Sequence, residues 1–474
     1  MRTIERNRML LALTLAALGA LAAPGPARAQ EAIGKPITLA DAVAYALAHY
    51  PAVRAASEQA AVAEAGIALA RTAYLPRTDL LWQANRATRN NVFGLLLPQA
   101  VVPPVSGPVL PDATGDSVWG SAAGLLFSWV PFDFGYRRAE VDTARREADR
   151  AADEARLTRL DVAMRAADGF LAVAAAEQTL RAARADLDRR RALAELVHAQ
   201  VASELRPGAD ASRADAEEAA ARIAVIEAEA NASASRALLG AIVGLAPGAV
   251  VIDATGLLDL PPGSPPPAPP IASHPSVEAE KAAVDVSKAR QLALDREYYP
   301  RFTVQSSISG RGSGARTDGT IEGGWSGLGF DRANWAAGLT ITFPLFDVAG
   351  VRAERQREAA TERAAEASYD QRVADLTAEI ERARALADGA RQVVAITPIE
   401  LTAARDGERQ ARARYQAGLA TLVEVADAER LLVQAETTDA LARLGVWRAL
   451  ARLSAAEGNL QPFVELVQRS TRRP

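Results

Sequence analysis

The chain has 474 residues, 54 Lys and Arg against 58 Asp and Glu, and no Cys. Near-neutral charge without a basic patch gives no reason to expect nucleic acid. The missing Cys excludes a disulfide framework, thiolate metal sites, a Cys nucleophile and a lipid-bearing N-terminal Cys.

Residues 1–29 read as a secretory signal. Arg2, Arg6 and Arg8 form a basic start, Met9 to Ala23 an apolar core, and Ala27-Arg28-Ala29 a cleavage site. The apolar run is shorter than the ~20 residues a spanning helix needs. The mature chain is expected to begin near Gln30, exported and not lipidated.

The mature sequence is a duplication. His49-Tyr50-Pro51-Ala52-Val53 returns as Ser273-His274-Pro275-Ser276-Val277, and Tyr74-Leu75-Pro76-Arg77 returns as Tyr298-Tyr299-Pro300-Arg301, both 224 positions on. Two long copies argue against a solenoid and for a pseudo-symmetric protomer. The first copy covers 30–245, a Pro-rich linker 246–272, the second copy 273–457, and a tail 458–474.

Each copy opens with a helix, over Leu39 to Ala73 and Ser276 to Glu297, which Pro then stops. The period next changes to two. Strands are expected over 78–90 and 117–130, then over 301–310 and 332–343. In each, one face is apolar and aromatic (Leu80, Trp82, Trp129, Ile308, Trp335, Leu339). The other is small or polar (Gln83, Gly120, Ala122, Gly124, Ala336, Gly338). Length and alternation fit transmembrane barrel strands; a soluble sandwich also alternates. Four strands cannot close a barrel, and an open edge is not tolerated in lipid. Several chains must then share one barrel. Two would enclose a lumen filled by side chains, and three would leave room for a pore.

Long helices follow over 136–205 and 351–415. About 70 residues at 1.5 Å each reach on the order of 100 Å. Leu157, Leu160, Met164, Ala167 and Leu171 recur at coiled-coil spacing. Thr397-Pro398 is expected to kink or break the second helix. The helices end at tips 206–209 and 416–419, where Gly208 and Gly418 allow a left-handed exit. They return over 211–243 and 422–456. The run Pro-Pro-Gly-Ser-Pro-Pro-Pro in the linker is expected to be extended. The Gly-rich stretch Gly310 to Gly329 lacks a following Lys-Ser or Lys-Thr and reads as an exposed loop. The loop Asn90 to Asp116 is expected over the barrel mouth.

This ordered set of landmarks resembles the TolC-type outer membrane efflux family over nearly the whole mature chain. The resemblance implies a mixed α and β membrane protein in the Gram-negative outer membrane. It would be a homotrimer in contact with lipid, with one twelve-stranded barrel and an α-helical barrel crossing the periplasm. Its partners would be a periplasmic adaptor (membrane fusion) protein and an inner-membrane pump of the RND, ABC or MFS type. It would be an exit duct for efflux or type I secretion, not an enzyme, without cofactor or metal. The family's gate pattern falls on Tyr415, Gly418, Glu424 and Asp427, so Glu424 and Asp427 are candidate pore-constricting acids. Asp215 is aligned to them in the first copy, one residue out of place. The family's best-known member has Arg two residues after the tip Gly; here that position is Ala420. Arg206, Asp210 and Arg213 are candidate adaptor contacts.

Acids at a helix start also simply complement its dipole, and charged residues at helix ends are often only solvated. A periplasmic helical-hairpin adaptor without a pore is the alternative function; it would show one hairpin, not two. His49, His198 and His274 are scattered, and no catalytic motif spacing occurs. With three Met, three His and no Cys, a soft-metal pathway is not expected.

Overall fold

The computed structural model describes residues 36–88, 115–261, 269–314, 316, 320, 322–343 and 348–471. The signal, nearly all of the expected mouth loop, most of the poly-Pro run and the Pro344-Leu345-Phe346-Asp347 turn lie outside the described residues. The elements are α1 (Leu39–His49), α2 (Pro51–Thr72), β1 (Arg77–Thr88), β2 (Ser117–Phe132), α3 (Tyr136–Ala202) and α4 (Gly208–Val243). They continue with α5 (Pro275–Glu297), β3 (Arg301–Ser313), β4 (Arg332–Thr342), α6 (Val348–Gln416), α7 (Leu422–Ala456) and α8 (Gln461–Thr471).

The single first helix expected from periodicity is two. Pro51 holds Tyr50 extended (ψ 126°), so α1 ends and α2 starts with Pro at its first turn. His274 does the same before Pro275 (ψ 132°). Tyr50 and His274 are therefore the equivalent residues. His274 is buried, and its ring accepts the Ser276 N–H at 3.1 Å. It caps α5, and burial pushes its pKa down.

The four strands form one antiparallel sheet in the order β1-β2-β3-β4. Register puts Leu80, Leu125, Ile308 and Trp335 in a single row across all four strands. All four are exposed. The parallel row on the other face is Leu81, Gly124, Ser309 and Asn334. A continuous apolar face opposite a polar one suits lipid outside and water inside. The ladder shifts between Trp129 and Phe132, where Pro131 has no N–H to give. The part of the β3–β4 loop from Trp325 to Phe330 lies on the apolar side. Trp325 stacks on Trp119 at 5.5 Å, and Ser121 Oγ donates to the Gly329 carbonyl at 3.3 Å. A Cβ on Gly312 would stand 1.7 Å from that carbonyl, so only Gly lets the loop lie this close.

α3 has 67 residues and α6 has 69. At 1.5 Å per residue each is about 100 Å long. Beside the sheet the helices pack side by side in the order α2-α3-α5-α6, and farther away in the order α4-α3-α7-α6. α2 and α4 thus continue the β1 edge, and α6 continues the β4 edge. Most of the exposed large apolar residues of these helices lie on the edge helices; Leu196 on α3, Leu292 on α5 and Val423 and Leu431 on α7 are exceptions. Those on the edge helices are Val62 and Leu69 on α2, Ile223, Ile226 and Leu238 on α4, and Leu386, Val393, Ile396 and Ile399 on α6.

Pro398 does not break α6. Its missing N–H deprives the Val394 carbonyl of its helical donor. Thr397 Oγ1 stands 3.5 Å from that carbonyl and donates to the buried Asp439 carboxylate at 2.7 Å. That contact ties the helix to α7 at the point where proline weakens it.

The largest core sits at mid-length, where α1, the ends of α4 and α7, and α8 wrap α3. The tail carries no readable landmark, yet its residues Gln461–Thr471 form α8 and bury Phe463, Val464, Leu466 and Val467. Trp447 is fully buried, packs edge-on against Phe463, and donates its indole N–H to the Asp259 carbonyl at 2.9 Å. The linker holds short 3₁₀ turns at Pro247–Ala249, Thr255–Leu257 and Ile271–Ser273, and Ile252 bridges to Ile37. No helix among the described residues is long and apolar enough to cross a membrane.

Candidate functional site

The two helical tips, farthest from the sheet, bring most of the predicted residues together. α6 ends in a Schellman turn. The Leu419 N–H bonds the Arg414 carbonyl at 2.8 Å, and the Gly418 N–H bonds that of Tyr415 at 3.0 Å. Gly418 takes the left-handed conformation this turn needs (φ +78°). α3 ends in the same turn, Leu205 to Gln200 at 2.9 Å and Glu204 to Val201 at 3.0 Å. Here the left-handed residue is Glu204 (φ +59°). Gly208 instead opens α4 with Pro207 as its N-cap. A side chain at that backbone angle costs about 1 kcal/mol, which the satisfied carbonyls offset.

This geometry corrects the match between the copies. Glu204 answers Gly418, and Pro207 answers Thr421 as N-cap. Counting on from these, Arg206 answers Ala420, Asp210 answers Glu424, Arg213 answers Asp427 and Asp215 answers Glu429. The arginine absent at Ala420 is thus present in the first copy. Asp215 is not the counterpart of Glu424. It faces His198 at 2.7 Å.

Arg206 crosses to the second tip. Its guanidinium lies 4.4 Å from the centre of the Tyr415 ring, and its Nη2 donates to the Tyr415 carbonyl at 3.0 Å. Tyr415 is fully buried, packed with Leu193, Ala194, Val197, Ala214, Leu422 and Val425. Its hydroxyl has no hydrogen-bond partner among the described residues. The contact therefore works through the ring face and the backbone. A cation over an aromatic ring contributes about 0.5–2 kcal/mol, more as water is excluded.

Glu424 and Asp427 are exposed. Glu424 completes a capping box: it accepts the Thr421 N–H at 3.1 Å while Thr421 Oγ1 accepts that of Glu424 at 3.4 Å. Arg414 stands 3.7 Å away. Asp427 pairs with Arg430 at 3.2 Å. Asp210 lies in the first turn of α4, and Arg213 is exposed. Among the described residues no cluster of metal-binding side chains occurs.

The sequence reading missed a layer of charge just behind the tips. Glu429 is wholly buried and pairs with Arg412 at 2.9 Å, which also pairs with Glu408 at 2.7 Å. Arg190 pairs with Asp186 at 3.0 Å and Glu217 at 2.6 Å, and Arg189 with Glu436 at 3.1 Å. Burial pushes the Glu429 carboxyl above its ordinary value, against the pull of Arg412. The legible signal was a charge on an apolar seam: Leu422, Val425, Glu429 and Leu432 all lie on the buried face of α7.

The family model "Outer membrane efflux protein" matches residues 42–245 and 271–459. Among solved structures, the outer-membrane channel OprN is similar at 20% identity and TM-score 0.70, over 89% of this chain and 90% of that one. The outer membrane protein VceC of Vibrio cholerae is similar at 20% and 0.69, over 89% and 97%. CusC is similar at 15% and 0.73, over 92% and 98%. At these identities the likeness is one of fold. No curated protein matches the chain by sequence.

Two predictions follow the tip geometry. Arg206→Ala speeds hydrogen exchange at the Gly418 and Leu419 amides, whereas Tyr415→Phe, which only deletes an unpaired hydroxyl, leaves it unchanged or slower. The raised Glu429 carboxyl stabilises the fold fully below the ordinary value of 4.5, and this contribution is lost as pH rises through the raised value. Glu429→Gln should therefore flatten the fall in heat-dissociation temperature from acid to neutral pH.

Proposed function

The chain belongs to the outer membrane efflux protein family, and from that premise we propose that three copies close into one duct whose constriction lies at the helical tips. As a family member it is an efflux exit duct of the outer membrane. The adaptor alternative gains no support: the chain has two helical hairpins and a four-stranded sheet. The observation that carries the trimer is the shared edge order of sheet and helices. Among the described residues, β1, α2 and α4 stand unpartnered on one side, and β4 and α6 on the other. Two different edges joined head to tail make a ring when the rotation closes. Three copies supply twelve strands, enough for a lumen.

In such a ring the Arg206–Tyr415 clasp holds the second hairpin against the first within each copy. Glu424 and Asp427 then present two carboxylates per copy at the mouth, where a ring of acids favours cations. Their capping and pairing roles are compatible with this, because both remain exposed to water. Asp210 and Arg213 are assigned to contact with a periplasmic adaptor. Arg206, being engaged with Tyr415, is assigned to the clasp. An inner-membrane pump supplies the energy, and export by a cleaved signal delivers the chain.

The test is conductance in a planar bilayer. Glu424→Ala combined with Asp427→Ala is expected to raise conductance and weaken cation preference. Unchanged values would remove these acids from the constriction.

A further inference from the structure

Two helices share one lane of the helical body. α5 runs between α3 and α6 beside the sheet, and α7 runs between them farther away. α5 begins at Pro275 and α7 ends at Ala456. At this changeover the lane is not filled, and a cavity of about 540 Å³ opens beside His274, Ala455 and Ala456. Small-molecule sites occupy roughly 300–1,000 Å³. Leu157, Leu160 and Met164 of α3 and Leu386 of α6 give the cavity an apolar lining. Along α7, Trp447, Leu450 and Ala451 turn into the core shared with α8, while Gly445 and Ala449 line the cavity. A Cβ on Gly445 would meet nothing within 4 Å, so close packing does not require this glycine. Glycine weakens a helix interior; here it leaves the space open.

The charged side chains around the cavity are unevenly satisfied. Arg448 donates to both oxygens of Asp168, at 2.5 and 2.7 Å. Arg372 donates to Ser276 Oγ at 2.7 Å and stands 3.8 Å from Glu379. Burial pushes the His274 pKa down, so its ring adds no charge at neutral pH. Three lining groups remain, Asp161, Arg382 and Arg452, and all are exposed. Asp161 and Arg382 have no ion pair among the described residues. Arg452 reaches only Asp168, at 3.6 Å, which Arg448 already holds with two bonds. One carboxylate from α3 and two guanidinium groups from α6 and α7 thus border one apolar surface and are open to water.

We propose that this cavity binds a small amphipathic zwitterion, with its cationic group on Asp161, its anionic group on Arg382 and Arg452, and its apolar body on Leu157, Leu160 and Leu386. A ligand with one kind of charge leaves either Asp161 or the two arginines unanswered. Hydrogen bonds between charged groups are the stronger ones, so a ligand carrying both charges binds tightest. Every lining residue comes from one copy, so the site does not rest on the ring proposed above.

The experiment titrates the full-length protein in lipid nanodiscs, with the signal of empty nanodiscs subtracted, using three fluorescent probes that share a dansyl body. Nε-dansyl-lysine is a zwitterion, dansylglycine an anion and dansylcadaverine a cation. Dansyl-lysine should bind about tenfold tighter than either of the others, the worth of one charge-assisted contact. Asp161→Asn should bring dansyl-lysine down to the level of dansylglycine without weakening dansylglycine. Arg382→Gln with Arg452→Gln should bring it down to the level of dansylcadaverine. Gly445→Leu, which fills the cavity and favours the helix, should abolish binding of all three probes. Where the double arginine variant does not fold, Arg382→Gln alone must weaken dansyl-lysine relative to dansylcadaverine. Equal affinity for the three probes, no binding of dansyl-lysine, or binding that survives Gly445→Leu would each overturn the proposal.

Discussion

A strand edge has a row of N–H and C=O groups, and hydrocarbon offers them no partner. In this chain β1 and β4 each present one such row, because the sheet has four strands and does not close on itself. Every other part of the architecture answers that constraint. The sheet's exposed apolar row fits it for lipid, while its open edges forbid it to enter lipid alone. Each unpaired group costs several kcal/mol, more in sum than the whole stability of an ordinary domain.

The helices repeat the same incompleteness without hydrogen bonds. Beside the sheet and at the tips alike, two helices lie inside and two lie at the edges. The edge helices hold exposed Ile, Leu and Val at coiled-coil-like intervals, such as Val62 and Leu69, or Leu386 and Val393. In the proposed ring these positions would be covered by another copy. Because both tiers place the same sides outermost, one rotation between copies satisfies strands and helices together. The duplication has a further use at the tips. Two hairpins of one origin carry different residues at matched positions, Arg206 against Ala420 and Val201 against Tyr415. The difference lets one tip clasp the other.

Much of this was legible in the sequence. Period-two runs with aromatic faces gave the strands, and the repeat landmarks gave the order of elements. Proline was read well at Pro76 and Pro300, ahead of which the helices stop, and poorly at Pro398. A helix packed along its length against α5 and then α7 tolerates one lost hydrogen bond, and that packing is a tertiary fact. The break at Pro51 was overlooked because the apolar pattern runs on through it. The tips were misaligned because a Gly was taken as the sign of a left-handed turn. In the first copy Glu204 takes that conformation, and no residue type announces it. Buried charge such as Glu429 was hidden among the many acids of an exposed-looking helix. Only its place on the seam with Val425 and Leu432 marks it.

The central claim is that the β4 edge of one copy meets the β1 edge of the next. The chain has no Cys, so engineered pairs report cleanly. Cysteines placed singly at Leu81 or Gln83 on β1 and at Asn334, Ala336 or Gly338 on β4 form a scan of the facing edges. Within one copy the edges lie three strand spacings apart, about 14 Å. That is too far for a disulfide, which needs Cα atoms within about 7 Å. The account predicts that some pairs oxidise between chains and give a ladder that stops at three copies. Failure of every pair to cross-link in membranes, or a ladder stopping at two, would contradict it.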